Sequence, residues 1–144
     1  QGSSMVAARL ACPACHRQKQ ISSTGTVVWK ASIATCAECH EGPRADQVRT
    51  YQQELETALS GLRLEIQKIR TAVESAEIDK EKAATVAAQL VDLDQDLDFL
   101  GAANGIHNVH YASSLTQAVL DQVILLSVQL ELGRPTITLP EMME

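Results

Sequence analysis

The sequence predicts a mainly α-helical protein, in which short helices and loops precede a long antiparallel helical hairpin and a third helix. One observation is a pair of heptad-spaced apolar stripes after residue 45. The other is the gathering of all four cysteines, together with a turn-rich stretch, before residue 43. Because 144 residues suffice for one ordinary domain, we expect a single structural domain with three parts: 1–43, 44–133 and 134–144.

The first part, residues 1–43, has little long-period pattern and contains the turn-rich run Ser22-Ser23-Thr24-Gly25-Thr26. It is therefore expected to form short helices and loops. Gly42-Pro43 separates it from the helical part, since proline suits the first turn of a helix.

Two apolar stripes predict the first two long helices. Each advances by alternating three and four residues, the spacing of a coiled-coil seam. The first comprises Leu55, Leu59, Leu62, Ile66, Ile69, Val73 and Ala76, and the second Val86, Leu90, Leu93, Leu97 and Leu100. Continuing the first stripe would place Lys80 and Asp94 on the seam, so the two are out of register. We expect a hairpin that turns near Glu77–Lys80 with Asp79 as N-cap; the alternative is one long helix with a stutter.

The second helix is expected to end at Asn104-Gly105, because both residues tolerate the left-handed backbone of helix C-termini. A third helix is predicted from near Ile106 to Leu132, before Gly133-Arg134-Pro135 and an irregular tail. The acidic residues of the second helix are expected to form a solvated face, since the turn-forming glycine of a calcium loop is missing; they are Asp92, Asp94, Asp96 and Asp98.

The four cysteines form two C-x-x-C-H motifs, Cys12-Pro-Ala-Cys15-His16 and Cys36-Ala-Glu-Cys39-His40. This motif attaches c-type haem: two thiols on one helical turn reach the two vinyl groups of a porphyrin edge, and the histidine faces the iron. We predict two haem c groups, with His16 and His40 as proximal ligands. The covalent attachment residues are Cys12, Cys15, Cys36 and Cys39. Aromatic residues make up only 3% of the chain, and two porphyrins would supply the missing flat apolar mass.

The rival interpretation is a four-cysteine zinc site, because the spacing between the two cysteine pairs also fits a zinc ribbon. It leaves the histidine after each pair, and the other two histidines, without a role.

The remaining histidines are His107 and His110. Two haems with one proximal histidine each need two distal ligands to close both irons. Residues at i and i+3 leave one side of a helix about sixty degrees apart, given 3.6 residues per turn. We predict both as distal ligands, with Met5, Met142, Met143 or a partner chain as alternatives to His110.

The two C-x-x-C-H motifs are followed by the predicted helical hairpin, and then by Asp98-Phe99-Leu100, Gly105-Ile106-His107-Asn108 and Tyr111-Ala112. This order resembles the C-terminal part of multihaem cytochromes. These include the ammonia-forming cytochrome c nitrite reductase and its octahaem relatives. The resemblance covers about residues 10 to 125 and implies that His107 is a distal ligand. Only two motifs are present and none is C-x-x-C-K, so nitrite reduction is not implied; His110 matches no fixed ligand of the family.

We therefore expect a dihaem electron-transfer protein, or an excised module of a larger multihaem cytochrome. The alternative is a haem-based sensor or small redox enzyme with one open iron, and a zinc-ribbon interaction module is a further hypothesis. Because c-type haem is attached outside the cytoplasm, the motifs predict a periplasmic, extracellular or cell-surface location. Gln1–Met5 is interpreted as a processing remnant, so a signal sequence is expected to have been removed.

Charge restricts the partners. Lys and Arg total 12 against 18 Asp and Glu, which argues against nucleic acid and favours basic redox partners. No apolar run is long enough to span a membrane. A homodimer is possible through the apolar residues of the third helix, which are Val119, Leu120, Val123, Ile124, Leu126 and Leu130. Trp29 is expected to pack on a haem face or in an ordinary core, and Arg17 to be solvated rather than paired with a propionate.

Overall fold

A computed structural model describes residues 12–21, 25–38, 43–75, 79–103 and 109–140. The prediction of a mainly α protein is confirmed. In chain order the elements are α1 (Cys12–Cys15), β1 (His16–Ile21), β2 (Val27–Ala31), α2 (Ile33–Ala37), α3 (Pro43–Ser75), α4 (Lys80–Ala103) and α5 (Val109–Gln129). The chain divides into two compact units, Gln1–Thr50 and Tyr51–Glu144.

The first unit contains a two-stranded antiparallel sheet that the sequence prediction lacked. Ile21 pairs with Val27, and Lys19 pairs with Trp29. The register shifts between His16 and Gln18, so β1 carries one extra residue there. The strand Val27–Ala31 is rich in β-branched and aromatic residues, which favour a pleated strand. Gly25 adopts φ +80°, a backbone conformation that glycine enters without steric cost.

The hairpin of α3 and α4 is confirmed in the second unit. Arg63 Nη2 donates to Asp98 Oδ1 at 2.8 Å, and Arg70 Nη2 donates to Asp94 Oδ2 at 2.6 Å. Because the partner number falls as the α3 number rises, the two helices are antiparallel. The acidic face is therefore not simply solvated: two of its carboxylates join the helices. These pairs are partly exposed, so each contributes only about 0–1 kcal/mol.

The predicted stripes form the core of this unit. All five residues of the α4 stripe are buried, as are Leu55, Leu59, Leu62, Ile66 and Ile69 of α3, while Val73 is half-buried against them. Fully burying such a side chain contributes roughly 1.5–3 kcal/mol. Apolar burial on the seam, rather than ion pairing, therefore holds the helices together.

Asp79 fixes the end of the hairpin turn, where α4 begins. Its Oδ1 accepts from the backbone N–H groups of Glu81 (2.9 Å) and Lys82 (3.3 Å), and its carbonyl accepts from Ala83 N. This confirms Asp79 as the N-cap of α4, satisfying donors that would otherwise have no partner in the helix. The preceding turn residues 76–78 lie outside the described part.

Helix α5 ends earlier than predicted, at Gln129 rather than Leu132. Leu132 N donates to Ser127 O at 2.9 Å and Glu131 N donates to Val128 O at 3.1 Å, the Schellman arrangement. The left-handed residue is Glu131, with φ 58°, and not a glycine. Sequence reasoning placed the stop at Gly133 because glycine usually occupies that position. The predicted start near Ile106 lies outside the described residues.

The tail after α5 is irregular, as expected, and packs against α3. Ile137 and Leu139 lie against the core, and Pro140 is buried. A Cβ at Gly61 would meet the Ile137 side chain at 3.7 Å, so the tail crosses α3 at this glycine.

The apolar face of α5 that suggested a homodimer is used within the chain. Val119, Leu120, Val123 and Leu126 are buried, and Ile124 and Leu130 are half-buried against the same core. The dimer prediction therefore loses the exposed face on which it rested. Among the described residues, no helix is long and apolar enough to cross a membrane.

Candidate haem-attachment site

The first C-x-x-C-H motif forms a single helical turn that leads directly into a strand. Cys12–Cys15 is helix α1, and His16 is the first residue of β1. This agrees with the expectation that the two cysteines occupy one short turn, where residues at i and i+3 share a side. Cys15 is a half-buried free thiol, whereas the side chain of Cys12 lies outside the described part.

The imidazole of His16 is held by the opposite strand. Its Nδ1 lies 2.7 Å from the backbone carbonyl oxygen of Trp29. A carbonyl only accepts, so Nδ1 carries the proton, and the neutral ring then has its lone pair on Nε2. Histidines that bind metals almost always donate their other ring N–H in this way, which fixes the tautomer and the ring orientation. The hydrogen bond therefore assigns Nδ1 as the donor, so that Nε2 is the nitrogen that a metal would bind in this tautomer.

The second motif begins on helix α2, which contains Cys36. Ser32 caps this helix: its Oγ accepts from Thr35 N at 3.2 Å and lies 2.9 Å from Thr35 Oγ1. The cap fixes the chain direction at the entry to the motif. The side chain of Cys36, and all of Cys39 and His40, lie outside the described residues.

An ion pair joins the two motifs. Arg17, directly after His16, donates from Nη1 to Oε2 of Glu38 at 2.8 Å. Glu38 lies between Cys36 and Cys39, so the pair connects the end of one motif to the interior of the other. Both side chains are 55% exposed, so the ion pair contributes only about 0–1 kcal/mol to stability. Its main effect is to hold the two motifs near each other.

The β-hairpin therefore brings Cys15 and the start of α2, which contains Cys36, toward its open end, away from Gly25. Cys15 precedes His16, and His16 pairs with Ala31, five residues before Cys36. Neighbouring attachment sites suit two closely spaced haems. The same layout suits a zinc ribbon. In the part of the chain that is described, no group of three or more His, Cys, Asp or Glu side chains is arranged to hold a metal ion.

Of the predicted distal ligands, His110 is the second residue of α5 and is exposed. His107 lies outside the described residues, as do Met5, Met142 and Met143. Beside His110, Tyr111 packs edge-on against Phe99 of α4, with ring centroids 6.2 Å apart at 86°. Edge-to-face rings of this kind contribute about 0.5–1.5 kcal/mol, which ties the start of α5 to α4.

Sequence reasoning missed three of these features. Ser32 could have been predicted, since serine directly before a helix is a favoured N-cap residue. Arg17 is exposed, as expected, but it also pairs with Glu38, and nothing local in the sequence reveals this contact. The contact between the Trp29 carbonyl and His16 depends on strand register alone.

The residues described here fit c-type haem: a free thiol on a helical turn, a histidine whose tautomer suits metal binding, and a sheet with an exposed apolar face. Comparison with protein-family models finds no match, and no curated protein or solved structure matches the chain significantly. The resemblance to multihaem cytochromes therefore rests on the sequence motifs.

Proposed function

We propose that the chain is a dihaem c-type cytochrome, or a module of a larger multihaem cytochrome, that transfers electrons. The observation that carries the proposal is the bond from His16 Nδ1 to the Trp29 carbonyl, directly after a Cys-x-x-Cys turn. A structural zinc site made of four cysteines gives this histidine no reason to be oriented.

In this proposal each motif holds one haem. Cys12 and Cys15 bind the first through thioether bonds and His16 is its proximal ligand; Cys36, Cys39 and His40 do the same for the second. His107 and His110 are the proposed distal ligands. Haem supplies reversible one-electron chemistry at iron, and four histidines would leave neither iron with an open position.

The residues around the first motif would tune its reduction potential. A carbonyl that accepts from Nδ1 makes the imidazole a stronger donor through Nε2, which favours ferric iron. The Glu38 carboxylate is shared with Arg17, so its charge is partly balanced at the second motif. Both effects would help to set the potentials at which the proposed haems exchange electrons.

The proposed location is outside the cytoplasm, since that is where c-type haem is attached. The formal net charge of −6, made more negative by haem propionates, favours a basic redox partner. The multihaem resemblance adds that the partner is another haem protein or another haem module of the same chain.

A second candidate is a zinc ribbon, which is favoured by the spacing of the two Cys-x-x-Cys pairs and by one observation: Cys15 and the helix that contains Cys36 flank one β-hairpin. A third is a sensor or small redox enzyme in which His110 dissociates, since this side chain is exposed at the start of α5.

Electron paramagnetic resonance and visible spectra of the chain, produced with c-type haem maturation, test the proposal. Two low-spin ferric signals are expected, and His16→Ala should convert one of them to high spin. Gln18→Ala, on the same strand, is the matched control and should leave both signals unchanged. A high-spin ferric signal in the unaltered chain would refute closure of both irons. A colourless protein containing zinc would establish the zinc ribbon instead.

A further inference from the structure

One face of the β-hairpin of the first unit is exposed and mostly apolar: it carries Ile21, Val27 and Trp29, together with Lys19. Ile21 pairs with Val27 and Lys19 pairs with Trp29, and side chains on directly paired residues share a face. The exposed fractions are 73% for Ile21, 46% for Val27 and 54% for Trp29. The opposite face carries Gln18, Gln20, Val28 and Lys30, which are mostly polar.

The register shift places His16 on the apolar face. Ala31 lies two residues from Trp29 on β2, so the two share a face, and His16 is the residue paired with Ala31. Without the extra residue between His16 and Gln18, His16 would point to the other face. Trp29 is then about 7 Å along the strand from the residue opposite His16, at 3.4 Å per residue.

Such a face has an energetic cost. An isolated two-stranded hairpin is marginal in water and becomes stable when it packs on another apolar surface. An indole exposed on a flat, apolar face therefore indicates that something covers it. Continuity with His16 identifies the cover, because a planar group bound at Nε2 extends from this same face.

We infer that the hairpin face formed by Ile21, Val27 and Trp29 packs against the first haem, with the Trp29 indole against the porphyrin. This rests on the proposed function, and goes beyond it by assigning three side chains to one haem. The strand then has two roles at that haem: the Trp29 carbonyl orients His16, and the Trp29 ring excludes water from the macrocycle.

Hydroxyl-radical footprinting of the holoprotein tests the inference, because Trp29 is the only tryptophan of the chain and gives a unique peptide signal. Trp29 should be oxidised several-fold more slowly in the unaltered holoprotein than in Cys12→Ala/Cys15→Ala, which lacks the first thioether links. The matched control, Cys36→Ala/Cys39→Ala, removes the second pair of links and should leave Trp29 protected. Phe99, which is 52% exposed in the second unit, serves as an internal reference for radical dose.

A second variant avoids reliance on the folding of the cysteine variants. Trp29→Leu keeps the backbone carbonyl that orients His16, so its effect reports the ring alone. One of the two reduction potentials should become more negative, because water then reaches the porphyrin and stabilises ferric iron. Lys30→Leu, on the opposite face of the same strand, should leave both potentials unchanged.

Several results would overturn the inference. These are rapid oxidation of Trp29 in a protein that carries both haems, protection that survives loss of the first haem, and protection that disappears on dilution. The last would mean that a second copy of the chain covers the face. Absence of haem from the purified chain would instead refute the proposed function, so the two failures are distinguishable.

Discussion

The two units of the molecule are built on different principles. In Tyr51–Glu144 the helices bury a continuous core of leucine, isoleucine and valine. In Gln1–Thr50 none of the described side chains is buried, and the hairpin exposes its apolar face. The second unit therefore contains its own source of stability. The described residues of the first unit are organised by a short sheet, the Ser32 cap and two exposed ion pairs, Arg17–Glu38 and Arg49–Asp46. The proposed haems would supply the first unit with apolar surface that its described side chains do not provide.

The largest effect is expected when all four cysteines are replaced, because the two units should then respond differently. Replacing all four cysteines by alanine should abolish hydrogen-exchange protection of β1 and β2, because the hairpin then has no covalently held cofactor to pack against. Helices α3 to α5 should keep their protection beyond residue 51. Mass-spectrometric hydrogen exchange measures both units in one sample, and a fully protected hairpin would contradict the account.

Within the second unit, Leu62→Ala should lower the free energy of unfolding by about 2–5 kcal/mol, since Leu62 is fully buried and leaves a cavity. Leu64→Ala, on the same helix but 67% exposed, is the matched control and should change stability by less than about 0.5 kcal/mol. Urea unfolding followed by circular dichroism compares them; equal effects would mean that the seam is misassigned.

Tyr51 sharpens the description of the core. Its hydroxyl is buried and has no hydrogen-bond partner among the described residues. Since an unsatisfied buried polar group costs about 1–3 kcal/mol, Tyr51→Phe should leave stability unchanged or raise it by up to that amount. A loss of stability would reveal an unseen partner for the hydroxyl.

The same residue has a pH signature. Desolvation by burial raises the pKa of Tyr51 above its usual value of 10.0. The folded state then holds this proton more tightly than the unfolded state, so stability falls as pH rises above 10.0. Tyr51→Phe should remove that component of the decline, while Tyr111→Phe, at a half-exposed position, should retain it.

At the hairpin turn, Asp79→Ala should lower the free energy of unfolding by about 1 kcal/mol, because the backbone N–H groups of Glu81 and Lys82 lose their acceptor. Asp79→Asn keeps an acceptor oxygen and should cost much less. Thermal unfolding of the two variants at one pH decides; equal losses would indicate that charge, not capping, is responsible.

The smallest expected effect is a gain. Gly61→Ala should stabilise the second unit by roughly 0.5–1 kcal/mol, since glycine is unfavourable inside a helix. The added Cβ would lie 3.7 Å from Ile137, an ordinary contact distance. Gly61→Val adds two further methyl groups toward Ile137 and should lose this gain. Thermal unfolding measures both.

Much of the second unit could be predicted from the sequence because its signals are periodic. The stripes from Leu55 and Val86 and the cap at Asp79 follow from local spacing and side-chain chemistry. The stop at Glu131 could not be predicted, since nothing in the residue type signals a left-handed backbone at a glutamate. The pairs Arg63–Asp98 and Arg70–Asp94 depend on how two helices align and are equally invisible in sequence.

The candidate site also has features that the sequence predicts and features that it does not. The residue types and spacing of the two motifs are explicit in the sequence, and they predict attachment and proximal ligation. The bond from His16 to the Trp29 carbonyl depends on strand register and on a one-residue shift, neither of which has a compositional signal. The β-hairpin itself was missed because the run from His16 to Gln20 is polar and reads as a loop.

The proposal that this chain carries two covalently bound haems is tested by its intact mass together with peptide mapping. The expected mass is that of the polypeptide plus two haems, one on the peptide containing Cys12 and Cys15 and one on the peptide containing Cys36 and Cys39. A chain of unmodified mass that binds one zinc ion in native conditions, after production with c-type haem maturation, would contradict it.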